Sequence, residues 1–118
     1  MIGHFYFMTY AEKLKDPRWQ KKRLEIMQRD DFTCQICKSK DKTLHIHHIS
    51  YEYGIDPWNY EDINYKTLCE DCHNDEEYCK TFVKAGIRIL QENGYTNADL
   101  FKIFYELLQL KNKEVKNG

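Results

Sequence analysis

Hydrophobic and polar positions alternate at helical spacing at both ends of the chain and at strand spacing in the middle. Trp19, Arg23, Ile26 and Met27 share one helical face, and Asp16-Pro17 supplies an N-cap acid followed by proline at the first helical position. This predicts a helix over about 17–29. Cys34-Gln35-Ile36-Cys37 then reads as a tight knuckle and 38–42 as a polar turn. Residues 43–51 (TLHIHHISY) are rich in strand formers. As a strand they place Leu44, Ile46 and His48 on one face, and His45 and His47 on the other. Residues 52–64, with Gly54 and Asp56-Pro57, read as a loop, and a short strand is expected at 65–68. A helix is predicted from about Asn74, with Tyr78, Phe82, Ile89 and Leu90 on its apolar stripe, ending at Asn93-Gly94. Thr96 and Asp99 form a capping-box pair for a last helix. In that helix Leu100, Ile103, Phe104, Leu107 and Leu108 follow the i, i+3, i+4, i+7, i+8 rule. Core packing is the simplest use of this stripe, and a dimer interface is the other.

The fold class expected is α+β: a small strand-hairpin core flanked by N-terminal and C-terminal helices. The 118 residues suit one domain, with a core over about 17–92 and a helical extension over about 95–115. A chain this short builds a modest apolar core, so a staple is useful. No apolar run approaches membrane-spanning length, so no membrane partner is expected. Residues 1–8 lack a basic n-region and a cleavage site, so a cytoplasmic protein is expected. In that compartment five cysteines point to metal or catalysis before disulfides.

The net charge of −1 does not advertise a nucleic-acid partner, but its distribution is uneven. Residues 12–23 carry a balance of +4, residues 52–77 one of −8, and residues 78–118 one of +3. An acidic middle between basic ends suits a metal-collecting centre with phosphate-holding arms. Arg18, Lys21, Lys22 and Arg23 are the candidate DNA phosphate contacts, and a solvated helix face is their plain alternative. No base-reading module is evident.

Cys34, Cys37, Cys69 and Cys72 form two CxxC pairs separated by 31 residues. Each pair can present two thiolates to one ion, and two pairs complete the tetrahedral S4 set that zinc favours. Such a closed site is structural. Cys79 falls outside both pairs and reads as a helix-face cysteine, and His4 as a bystander. Chemistry must come from between the knuckles, where His45, His47 and His48 cluster and His73 directly follows the last cysteine. Imidazoles bind divalent ions and titrate near neutrality, as a general base should.

The run Cys34-x2-Cys37, Leu44-His45-Ile46-His47-His48-Ile49, then Asn64-Tyr65-Lys66-Thr67-Leu68-Cys69-x2-Cys72-His73 resembles the zinc-ribbon branch of the HNH endonucleases. The likeness extends upstream to Tyr10 and includes Asp56-Pro57-Trp58, covering about residues 10–75. It implies a ββα-metal (His-Me finger) core and cleavage of double-stranded DNA to 5′-phosphate and 3′-hydroxyl ends. Position by position, it implies His48 as general base, and Asn64 as the residue that orients the base or helps hold the metal. His47 and His73 match ligands of a catalytic divalent ion, Mg²⁺ or Mn²⁺, with Ni²⁺ or Zn²⁺ also accepted. Asn59 competes with Asn64 at poorer spacing, and His45 has no assigned role. Lys38 stands where a glycine is frequent, and Ser50 where a proline is. Short free-standing members occur in phages and mobile elements, which implies a bacterial or phage-infected cell, with a homodimer or larger phage or restriction machinery as partners. The alternative is an inactive zinc-dependent DNA-binding or scaffold protein of the same fold.

Overall fold

The computed structural model describes residues 7–117, so His4 and most of the segment read for a signal peptide lie outside it. Among the described residues the elements are α1 (Tyr10–Leu14), α2 (Pro17–Arg29), β1 (Leu44–His48), β2 (Tyr65–Cys69), α3 (Glu70–Glu92) and α4 (Asn97–Asn117), with a 3-10 turn at Asp62–Asn64. The described residues therefore form an α+β structure, with one two-stranded antiparallel sheet and four α-helices among them. None of these helices is long and apolar enough to cross a membrane.

Chain-local chemistry sets the element ends. Asp16 caps α2 by accepting from Arg18 N–H at 2.8 Å, ahead of Pro17 at the first helical position. Thr9 and Glu12 make a capping box that starts α1, a five-residue helix not anticipated from the sequence. Thr96 and Asp99 do the same for α4. Gly94 ends the α3 region at φ +92°, the left-handed conformation that glycine adopts without a Cβ clash.

Helix α3 begins at Glu70, four residues earlier than the sequence pattern suggests. Strand β2 runs directly into it, and Cys69 Sγ accepts from Cys72 N–H at 3.4 Å where a capping oxygen would usually sit. Glu70 and Asp71 in the first turn complement the helix dipole. Cys72 and His73 therefore sit on the first turn of a helix and not in a loop knuckle. The Ile49 N–H still reaches the Asn64 carbonyl at 2.8 Å in the register of the hairpin, and the ladder ends where the Asn64 side chain takes the N–H and carbonyl of Ser50.

The chain divides into two compact units after Glu76, within α3. The core of the first unit is Trp19, Ile26, Ile46 and Tyr65, packed by Leu14, Met27, Trp58 and Tyr60. A second cluster joins Cys34, Leu68 and Cys69 with Leu44 and Cys72. Arg29 and Asp30, at the end of α2, fasten the helix to the hairpin. Arg29 donates to the Asp62 and Tyr65 carbonyls at 2.6 and 2.7 Å, and Asp30 accepts from Thr67 N–H at 3.0 Å.

The apolar stripes of α3 and α4 are not core. Leu100 is buried, but Tyr78, Phe82, Ile89, Ile103, Phe104, Leu107 and Leu108 are exposed and Leu90 lies at the margin of exposure. Helical periodicity locates an apolar face without saying what covers it.

Candidate functional site

The register pairs Leu44 with Cys69, His45 with Leu68, Ile46 with Thr67, His47 with Lys66 and His48 with Tyr65. Successive side chains alternate faces, so His47 and His48 point to opposite sides of the sheet.

On one side lies the first turn of α3. The rings of His45 and His73 stack at 5.2 Å between centroids, and His47 meets His73 edge-on at 5.6 Å. His47, His73 and Glu77 each offer a ligand atom, all within 4.8 Å of one another, a group that could hold a metal ion. Glu77 was not singled out from the sequence. It lies one helical turn beyond His73 on the same continuous helix, so their spacing is a property of α3 itself. The His73-x3-Glu77 signal was present, but a helix starting at Asn74 leaves His73 off it.

On the other side His48 is buried, with 2% exposure. Its ring stacks on Trp19 at 5.1 Å and is bordered by Tyr51, Tyr60 and Tyr65. His48 Nε2 lies 2.9 Å from the Pro57 carbonyl oxygen, which also accepts from the Tyr65 hydroxyl at 2.8 Å. The loop carrying Pro57 is anchored by Lys13 to Asp56 at 2.8 Å and by Arg18 stacked 4.3 Å over Trp58.

Asn64 sits beneath the exit of β1. Its Oδ1 accepts from Ser50 N–H and from Ser50 Oγ at 3.0 Å each, and its Nδ2 donates to the Ser50 carbonyl at 2.8 Å. Asn64 thus holds the chain just after His48. Asn59 makes a loop bond instead, from its own N–H to the Asp56 carbonyl.

Cys34, Cys37, Cys69 and Cys72 bring their sulfurs within 4.8 Å of one another, a cluster that could hold a metal ion. Cys37 and Cys69 are 3.7 Å apart, close to the edge of a tetrahedron with metal–sulfur bonds of about 2.3 Å. Burial works against ionisation of Cys34, but N–H groups of Cys69, Cys37 and Ile36 outweigh it and bring its thiol down to about 6. The Cys72 thiol is pushed up to about 12, first by its hydrogen bond with Cys69 and then by burial. Four thiolates this close need a cation between them to ionise together. Cys79 is exposed and outside the cluster.

The four basic residues put forward as phosphate contacts are partly committed. Arg18 chelates Asp16, with Nη2 to Oδ2 at 2.9 Å, and Lys22 reaches Asp62 at 3.0 Å. Arg23 donates to the Gln20 side chain at 2.7 Å.

No family model, curated protein or solved structure matches the chain.

Proposed function

We propose that the protein is a metal-dependent endonuclease of the HNH type, which hydrolyses DNA phosphodiester bonds to 5′-phosphate and 3′-hydroxyl ends on a ββα-metal core. The observation that carries the reading is the division of labour across one short strand. His47 joins His73 and Glu77 on one face, while His48, one residue on, is held by the Pro57 carbonyl on the other.

In this reading His47, His73 and Glu77 hold a divalent ion, Mg²⁺ or Mn²⁺, with Ni²⁺ or Zn²⁺ also accepted by the imidazoles. When bound, that ion supplies Lewis-acid stabilisation of charge on the phosphate and the leaving 3′-oxygen. His48 acts as the general base. A carbonyl oxygen can only accept, so Nε2 carries the proton toward Pro57 and Nδ1 is the nitrogen that takes a proton from water. Trp19 and Tyr65 keep the ring from turning, and Asn64 fixes the backbone that follows it. The four cysteines hold a structural Zn²⁺ that joins the two ends of the hairpin. Lys21 and Arg23, with Arg18 and Lys22 where their ion pairs open, contact backbone phosphates of double-stranded DNA. The cellular setting is the cytoplasm of a bacterial or phage-infected cell.

The burial of His48 supports a second reading, a zinc-dependent DNA-binding or scaffold protein without catalysis, because a base must meet water. A plasmid-nicking assay with Mg²⁺, Mn²⁺ or Ni²⁺ separates the two. Cutting by the intact protein and not by His48→Ala is the expected result. Tight DNA binding without cleavage under every metal would establish the second reading instead.

A further inference from the structure

Lys66 stands directly opposite His47 in the β1–β2 register. Residues so paired hold their Cβ atoms about 4.5–5.5 Å apart on one face of the sheet. Lys66 accordingly lines the same recess as His47, together with Ile36, Ile49, Leu68 and Glu76. It is exposed. Much of the positive charge in this unit is already spoken for: Lys13 by Asp56, Lys22 by Asp62, Lys40 by Asp31 and Lys42 by Asp71. Lys66 forms no ion pair or hydrogen bond among the described residues, and the Glu76 carboxylate shares its recess without pairing to it.

An ammonium beside His47 opposes the binding of a divalent ion to the group that His47 forms with His73 and Glu77, since like charges repel. The arrangement becomes favourable once a polyanion lies between the two cations. We propose that Lys66 binds a phosphate of the DNA strand that crosses the His47–His73–Glu77 group. This inference rests on the nuclease reading for its substrate and adds a phosphate-binding residue from the sheet to those of α2.

The test uses the full chain with Lys66→Met and Lys66→Arg. Binding of a fluorescent 30-base-pair duplex is measured with Ca²⁺ as the ion, over a range of salt concentrations. Loss of one phosphate contact should lower the slope of log K against log salt by about 0.9, and weaken binding roughly five- to tenfold at 0.1 M salt. Lys66→Arg should restore both. Without DNA, Lys66→Met should bind Mn²⁺ more tightly than the intact protein, a change that no merely structural role predicts. In nicking assays KM should rise more than kcat falls.

An unchanged salt slope and duplex affinity in Lys66→Met would overturn the inference, and if the intact protein still cuts DNA the nuclease reading survives that result. If the intact protein binds the duplex but never cuts, the nuclease reading falls while a reduced slope in Lys66→Met still upholds the phosphate contact. Failure of the intact protein to bind the duplex overturns both.

Discussion

His48 and Pro57 are tied together across the loop that follows β1, with Nε2 2.9 Å from the carbonyl oxygen. The contact dictates a tautomer, because a carbonyl offers no proton. Nitrogen-correlated NMR of the histidine rings should find His48 protonated at Nε2 in its neutral form. A neutral ring protonated at Nδ1 would remove the nitrogen assigned to water activation.

Asn64 and Ser50 share three hydrogen bonds, two accepted by Oδ1 and one donated by Nδ2. Asn64→Ala leaves the exposed Ser50 groups to find water, at a cost of about 0.5–1.5 kcal/mol in a urea titration. Asn64→Asp keeps the acceptor and loses the donor, so it should fall between the two. Nicking should drop more steeply than stability, since the segment released is the one that follows His48.

Asp30 should make the fold acid-sensitive. Burial raises its carboxyl, but the hydrogen bond from Arg29 and the N–H of Thr67 outweigh that and hold it below the usual carboxylate value. A depressed folded-state pKa contributes stability above the unfolded value of about 4, and that contribution is lost as pH falls through the folded value. Asp30→Asn should therefore be less stable at neutral pH, and the gap to the intact protein should close below about pH 4. Thermal melts of both proteins between pH 2 and 7 check this. Their difference isolates Asp30 from any acid release of metal.

Metal analysis should find one tightly held zinc that Cys69→Ser loses, with a marked fall in melting temperature, because structural zinc binding is folding energy. Cys79→Ser should keep the zinc and the melting temperature. Zinc unchanged in Cys69→Ser would remove the S4 assignment.

Ile26 and Phe104 should differ in their response to truncation. Ile26 is 1% exposed in the core of the first unit, so Ile26→Ala should cost about 2–5 kcal/mol in a denaturant titration. Phe104 is 52% exposed, and Phe104→Ala should stay within about 1 kcal/mol.

Much of the hairpin was legible because its signals are local. Asp16-Pro17 marks the start of α2, and strand alternation separates His47 from His48 without knowledge of the partner strand. The four cysteines are brought together as their spacing suggests. What escaped depends on contacts between distant residues or on an unusual atom. The start of α3 was misplaced because its cap is the sulfur of Cys69. That error concealed Glu77, whose relation to His73 exists only on a helix. The role of Pro57 is carried by a backbone oxygen, which no side-chain pattern reports. Two positions singled out in the sequence gain a structural sense. Lys38 adopts φ +66°, a left-handed conformation that glycine takes without a Cβ clash. Ser50 has the N–H that proline lacks, and Asn64 uses it. The apolar stripes of α3 and α4 misled in the other direction, since their periodicity is genuine and their burial is not.

Cys69 is at once the last residue of β2, the partner of Leu44 in the sheet and one of the four clustered thiols. A two-stranded ribbon has little else to resist slipping, and a slip of one residue would exchange its faces. His47 would then turn toward Trp19, and His48 toward α3. A metal ion gripping Cys69 from the end of the strand would act as a phase lock, making that exchange incompatible with its own coordination. Metal bound at one end of the ribbon would in this way decide which histidine faces His73 and which meets Pro57.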